Sequence, residues 1–318
     1  MASGTRSIND RATAAVEKRR AFVRYLKNGP VPEITTALQT EDGTEPRVTV
    51  VIPTANTSRA HHLSRLLQQI QGQSLRSVEI VIVAGDRRQG RAINTAAAIA
   101  RGDILVTMDD DTQLGDPRLL EKLVAALDRD RAIGIAGVAS RIPQDAPSIV
   151  RRAMRELPRR SSPVVQVVTD SDMAEHPCLA IRKALFYEIG GEHELIPRGL
   201  DPYLRREVRR RGYRVVVIPD AWIYHLLPPT YQAILRQYFR NGHGAAYVKK
   251  FHPECVIDLA EDHGREVADR TSLPGRTLRY SWRMLRAIAS AKWVYLGTLL
   301  SYAAGYTWGM MTLRRDAL

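Results

Sequence analysis

Between Val48 and Met108 the chain sets three short apolar runs apart with two stretches of helical pattern, and no other feature narrows the fold as far. Val48-Thr49-Val50-Val51-Ile52, Val78 to Ala84 and Ile104 to Met108 read as strands, while Ala60 to Gln71 and Gly90 to Ala100 read as helices. Such alternation predicts βαβ units and a mainly parallel sheet flanked by helices, an α/β fold whose ligands bind at the carboxyl ends of the strands.

Each strand is followed by polar residues: Pro53-Thr54-Ala55-Asn56, Ala84-Gly85-Asp86 and Asp109-Asp110-Asp111. Successive carboxylates at the end of a buried run repel one another, and a cation that prefers oxygen ligands, Mg2+ or Mn2+, offsets that cost. A solvated acidic turn before Pro117 is the plainer alternative, and Thr54 or Asp86 alone reads equally well as a helix cap. Their joint placement on one sheet edge favours a pocket.

Further along, Ile133 to Val138 and Cys178 to Arg182 read as buried strands, Lys183 to Ile189 as a helix, and Gly190-Gly191 as its stop. A helix from Leu200 to Arg211 is predicted with Asp201 as N-cap and Pro202 in the first turn. The strand Arg214 to Ile218 follows, then a turn at Pro219-Asp220-Ala221, then His225.

In this order the motifs resemble those of the family 2 glycosyltransferases, inverting nucleotide-sugar enzymes of GT-A fold. Val48 to Asn56 resembles the family's opening strand and turn. Asp86 is similar to its nucleobase-contacting Asp, and Gly90-Arg91-Ala92-Ile93-Asn94 to the segment before the metal motif. Asp109-Asp110-Asp111 resembles the DXD motif. The resemblance implies donor binding by Pro53, Thr54, Asn56, Asp86, Arg91, Asn94, Asp109 and Asp110. It also implies Mn2+ or Mg2+ on Asp109, Asp111 and His225, and Asp201 as catalytic base. The family's base motif commonly carries further acids where Leu200 and Tyr203 stand here, so Asp201 alone is carried over. Gln237 to Asn241 is similar to the QxxRW motif of processive synthases with Asn241 in place of Trp. That gives Gln237 and Arg240 an acceptor role and favours transfer of one or few sugars.

Residues 10 to 27 read as a basic amphipathic helix and Thr35 to Pro46 as a linker. The predicted organisation is an N-terminal arm and linker (1–46), a GT-A domain (47–245) and a helical extension (246–318). No apolar leader precedes the first charges, so no signal peptide is expected. Two cysteines exclude a disulfide framework, and a reduced cytosolic setting follows.

The formal net charge of +13 suits phosphate, anionic lipid or nucleic acid. No zinc knuckle or recognition-helix pattern accompanies it, so no nucleic acid is expected as partner, although a basic nucleic-acid-binding protein is the rival from another class. A nucleotidyltransferase would more often open with a Gly-rich loop and Lys, which Pro53 to Arg59 lacks. A catalytically silent family member is the third alternative.

Five arginines, Arg205, Arg206, Arg209, Arg210 and Arg211, crowd one short helix as a solvated face or a lipid-attracting one. From Trp293 to Leu313 no charge occurs, which approaches membrane-spanning length and predicts a membrane-inserted or interfacial helix, with a buried or dimer-forming helix as the alternative, while Gly305 and Gly309 suggest close helix packing. The partners expected are a nucleotide-sugar donor, a glycan or lipid-linked acceptor and an anionic membrane surface at the cytoplasmic face.

Overall fold

The computed structural model describes residues 32–39, 45–55, 60–225, 227–257 and 273–314. The predicted helix at 10 to 27 and Asn56 lie outside them. The described strands are β1 (Glu33–Gln39), β2 (Val48–Thr54), β3 (Val78–Ala84), β4 (Ile104–Thr107), β5 (Thr112–Leu114), β6 (Ile133–Ser140), β7 (Thr169–Asp170), β8 (Leu179–Arg182) and β9 (Arg214–His225). The helices are α1 (Ala60–Gln71), α2 (Gln89–Ile99), α3 (Leu119–Arg129), α4 (Ser148–Glu156), α5 (Lys183–Glu188), α6 (Leu200–Arg210), α7 (Tyr231–Phe251), α8 (Leu273–Ala289) and α9 (Trp293–Thr312).

The strands form one mixed sheet in the order β1-β3-β2-β4-β8-β6-β9-β5, with β7 on β9. The trio β3-β2-β4 is parallel, as the alternating pattern predicts. On its flanks β1 and β8 pair antiparallel with β3 and β4.

The alternation along β2 explains why its apolar run is nearly continuous. Val48, Val50 and Ile52 face a core built with Leu66 and Ile70 of α1 and Leu119, Leu120 and Leu123 of α3. Val51 points to the other face, onto Ala92, Ile93, Ala96 and Ala97 of α2. A strand covered by helices on both sides needs apolar residues at every position.

The chain divides into two compact units, 1–139 with 164–195 and 204–223, and 140–163 with 196–203 and 224–318. The first holds the sheet. In the second, α7 and α9 run against each other at backbone distance. A Cβ on Gly305 would stand 2.0 Å from the Phe239 carbonyl oxygen, and one on Gly242 would stand 2.0 Å from that of Tyr302. The close packing suggested by Gly305 and Gly309 is thus present.

Three sequence readings need correction. Residues 33–39, read as part of a linker, form strand β1, paired with β3 over seven residues; Thr35, Thr36 and Ala37 are exposed, so no alternating apolar signal marked it. Asp201 is not the N-cap of α6 but sits in its first turn, because the helix begins at Leu200 after Gly199, whose φ of 84° only glycine adopts freely. Pro219-Asp220-Ala221 is not a turn ending a strand: β9 continues through it to His225, with Asp220 at φ 51° and its N–H donating to Val165 O. No described helix is long and apolar enough to cross a membrane. Six residues of α9, including Thr298, Gly305 and Gly309, are buried.

Candidate active site

The Asp109-Asp110-Asp111 segment is a tight turn, closed by a hydrogen bond from Thr112 N to Asp109 O at 3.0 Å. It leaves β4 where Met108 N donates to Val51 O (3.0 Å). Asp110 is buried, and the Thr54 hydroxyl at the end of β2 donates to its Oδ2 at 2.6 Å. Gln89, at the start of α2, donates from Nε2 to Asp109 Oδ1 at 3.0 Å. The carboxyl ends of the parallel strands therefore converge on the acidic turn, as the sheet rule requires.

His225 is the last residue of the continuous strand β9 and is carried by the same sheet. Asp109 and Asp111 each offer a carboxylate oxygen as a ligand atom, and His225 an imidazole nitrogen. Two carboxylates and one imidazole make a donor set suited to a divalent cation of the Mn2+ or Mg2+ type. Behind the turn, β9 is held at its left-handed residue by Lys122, whose ammonium donates to the Asp220 carbonyl oxygen at 2.5 Å and also pairs with Asp116. Burial raises the Asp116 pKa, but the Lys122 contact and the Arg118 N–H outweigh it, so the carboxyl titrates below its ordinary 3.8.

Other predicted residues are held by neighbouring groups. Asp86 is buried, and Arg91 grips it with Nε and Nη2 while the Arg88 N–H donates to Oδ1 (2.8 Å). Asn94 is buried inside α2; its amide bonds Glu192 O at 2.8 Å, Glu194 Oε1 at 2.9 Å and Glu192 N at 2.9 Å. That residue anchors the 192–194 segment. Pro53 is half-buried at the end of β2.

Of the arginine cluster, Arg205 is fully buried and donates to Ala174 O at 3.0 Å, Arg206 is buried beside Glu207, and Arg211 pairs with Glu188. The helix is therefore no uniform cationic face. On α7, Arg240 is exposed, whereas Gln237 is half-buried with its Oε1 making no hydrogen bond. Gln89 and the buried pair of His176 Nε2 and Glu192 Oε1, 2.7 Å apart, went unpredicted. Only Gln89's place one turn before Asn94 hinted at a role.

An acidic turn at the carboxyl edge of a parallel trio, inside a mixed helix-flanked sheet, is the arrangement of a GT-A fold. Residues 84–190 match the family described as Glycosyl transferase family 2. Among solved structures, the mannosyltransferase PcManGT from Pyrobaculum calidifontis, in complex with GDP-Man and Mn2+, is 16% identical with a TM-score of 0.53, over 95% of this chain and 99% of that one. TarS from S. aureus is 14% identical over 65% of this chain and 43% of that one, at a TM-score of 0.39. Among curated protein sequences none matches.

Proposed function

We propose that the chain is an inverting, metal-dependent hexosyltransferase that moves one or few sugars from a nucleotide-sugar donor to a glycan or lipid-linked hydroxyl at the cytoplasmic face of a membrane. The observation that carries this reading is the acidic turn at the carboxyl edge of the parallel strands, braced by Thr54 on Asp110 and Gln89 on Asp109. Asp109 and Asp111, with His225, would hold Mn2+ or Mg2+, which when bound offsets the charge gathering on the departing diphosphate. Thr54 and Gln89 fix the turn by bonding Asp110 and Asp109, so the carboxylates are oriented before the donor arrives.

Asp201 takes the proton of the acceptor hydroxyl as oxygen attacks the anomeric carbon from the face opposite the diphosphate, which inverts that centre. Asp201 stands in the first turn of α6. Gln237 and Arg240 are the acceptor-side groups. Arg91 and the Asp86 it holds form the donor's base-side wall.

The test is thermal unfolding with UDP-, GDP- and dTDP-sugars, with and without Mn2+, beside Asp111→Ala. GDP-mannose leads the panel because it is the donor bound by the Pyrobaculum calidifontis mannosyltransferase. A ligand at 100 times its dissociation constant adds about 2.7 kcal/mol of stability. A shift that needs metal and vanishes in Asp111→Ala supports the reading; no shift with any donor, together with salt-sensitive RNA or DNA affinity, replaces it with the nucleic-acid-binding one.

A further inference from the structure

Of the 15 large apolar side chains exposed among the described residues, nine lie between Leu278 and Met311, on α8 and α9. The two helices present these residues in stripes. On α8, Tyr280, Met284 and Ala287 pack into the core of the second unit at i, i+4, i+7 spacing. Leu278, Trp282 and Leu285 repeat the same spacing two positions earlier, on the opposite side, and are 73%, 65% and 60% exposed. An ordinary surface helix is polar on that side.

The arginines of α8 are gathered along one flank of the stripe. Arg279, Arg283 and Arg286 follow Leu278, Trp282 and Leu285 by one residue each. On α9 a second outward stripe runs through Trp293, Leu300, Trp308 and Met311, all more than half exposed. Three of the chain's four tryptophans therefore sit on exposed faces of these two helices.

We propose that the α8–α9 pair seats on an anionic lipid bilayer, with Leu278, Trp282 and Leu285 entering the interface and Arg279, Arg283 and Arg286 meeting the headgroups. An apolar stripe with tryptophan and a basic flank matches an interfacial helix, whose binding combines buried apolar area with attraction to acidic lipid. Indole rings favour that boundary, apolar body inward and N–H toward water. A second copy of the chain is the poorer occupant, since pairing this face with itself would oppose two rows of arginine on molecules that each carry +13. The inference deepens the membrane placement proposed above and does not depend on the reaction.

The test is co-sedimentation of the full chain with vesicles of phosphatidylcholine alone and of phosphatidylcholine with phosphatidylglycerol. Wild type should partition to the mixed vesicles, and Trp282→Glu with Leu285→Glu should lower the partition coefficient at least about tenfold. Replacing Arg279, Arg283 and Arg286 by Gln should remove the preference for phosphatidylglycerol while leaving weaker binding to both. Circular dichroism and the melting temperature should not change, because these side chains lie on exposed or half-exposed positions. Equal binding by wild type and the Glu variant would overturn the proposal, as would absent vesicle binding with a dimer that the Glu variant dissociates. The donor-induced thermal shift, measured without vesicles on the same variants, reports separately on the glycosyltransferase reading.

Discussion

Arg91 holds Asp86 in a two-point grip, Nε to Oδ2 at 2.5 Å and Nη2 to Oδ1 at 2.7 Å, across a single turn of α2 and the loop before it. The Asp86 side chain has no exposed surface and that of Arg91 has 16%. Removing the guanidinium strands a buried carboxylate, which costs about 3–5 kcal/mol. Arg91→Ala should therefore lose stability in that range by urea unfolding, and Arg91→Lys should lose less while forfeiting the fork geometry. A loss below about 1 kcal/mol for Arg91→Ala would show that the pair is not what orders this loop.

The Asp116–Lys122 pair sets an acid limit. Because the folded carboxyl titrates below 3.8, its contribution is fully present above the unfolded value and fades as pH falls through the folded one. Melting temperature measured from pH 6 down to 2 should fall along a limb that Asp116→Asn flattens. Near neutral pH the same variant should be less stable by about 1.5–3 kcal/mol, the usual worth of a hydrogen bond to a charged group. A limb of unchanged slope in the variant would assign the acid sensitivity elsewhere.

If Asp201 is the base, Asp201→Asn should lower turnover by about 10²–10⁴-fold while the donor-induced thermal shift persists. Rate and binding are thus separated in one protein. Turnover within about threefold of wild type would remove Asp201 from that role.

The α7–α9 contact should tolerate no added carbon. With 2.0 Å between a Cβ on Gly305 and the Phe239 carbonyl oxygen, Gly305→Ala must push two helix backbones apart. The expected loss is about 1–3 kcal/mol from overpacking, read by denaturant titration. Exposed Ala304, next along the helix, should accept Val at under about 1 kcal/mol.

What could be read from the sequence was whatever repeated with the period of its element. The strands at Val48, Val78 and Ile104 and helix α1 stand within a few residues of their predicted bounds because both sides of the sheet impose apolar residues there. Strand β1 gave no such signal, since exposed threonines at an edge look like a linker. The continuation of β9 past Pro219 was hidden by a proline and a left-handed Asp220, which mimic a turn until Val165 and Lys122 are seen holding them. At the site, the acidic triplet was plain, but its inner division was not. That Asp110 turns inward to Thr54 depends on a contact 56 residues away in the chain. Arg205 was grouped with its charged neighbours although it is fully buried. A charge on a helix carries no mark of which carbonyl awaits it.

Strand β1 has a practical consequence for anyone shortening this chain. The family resemblance begins at Arg47, which invites an expression boundary there, yet Glu33–Gln39 runs antiparallel along the whole of Val78–Ala84. Cutting at that boundary would strip the outer row of backbone partners from one of the most apolar strands in the sheet. A bare edge of that composition recruits any strand that fits, beginning with its own copies. The trimmed chain would therefore fail first by clumping at the bench, with its acidic turn still intact.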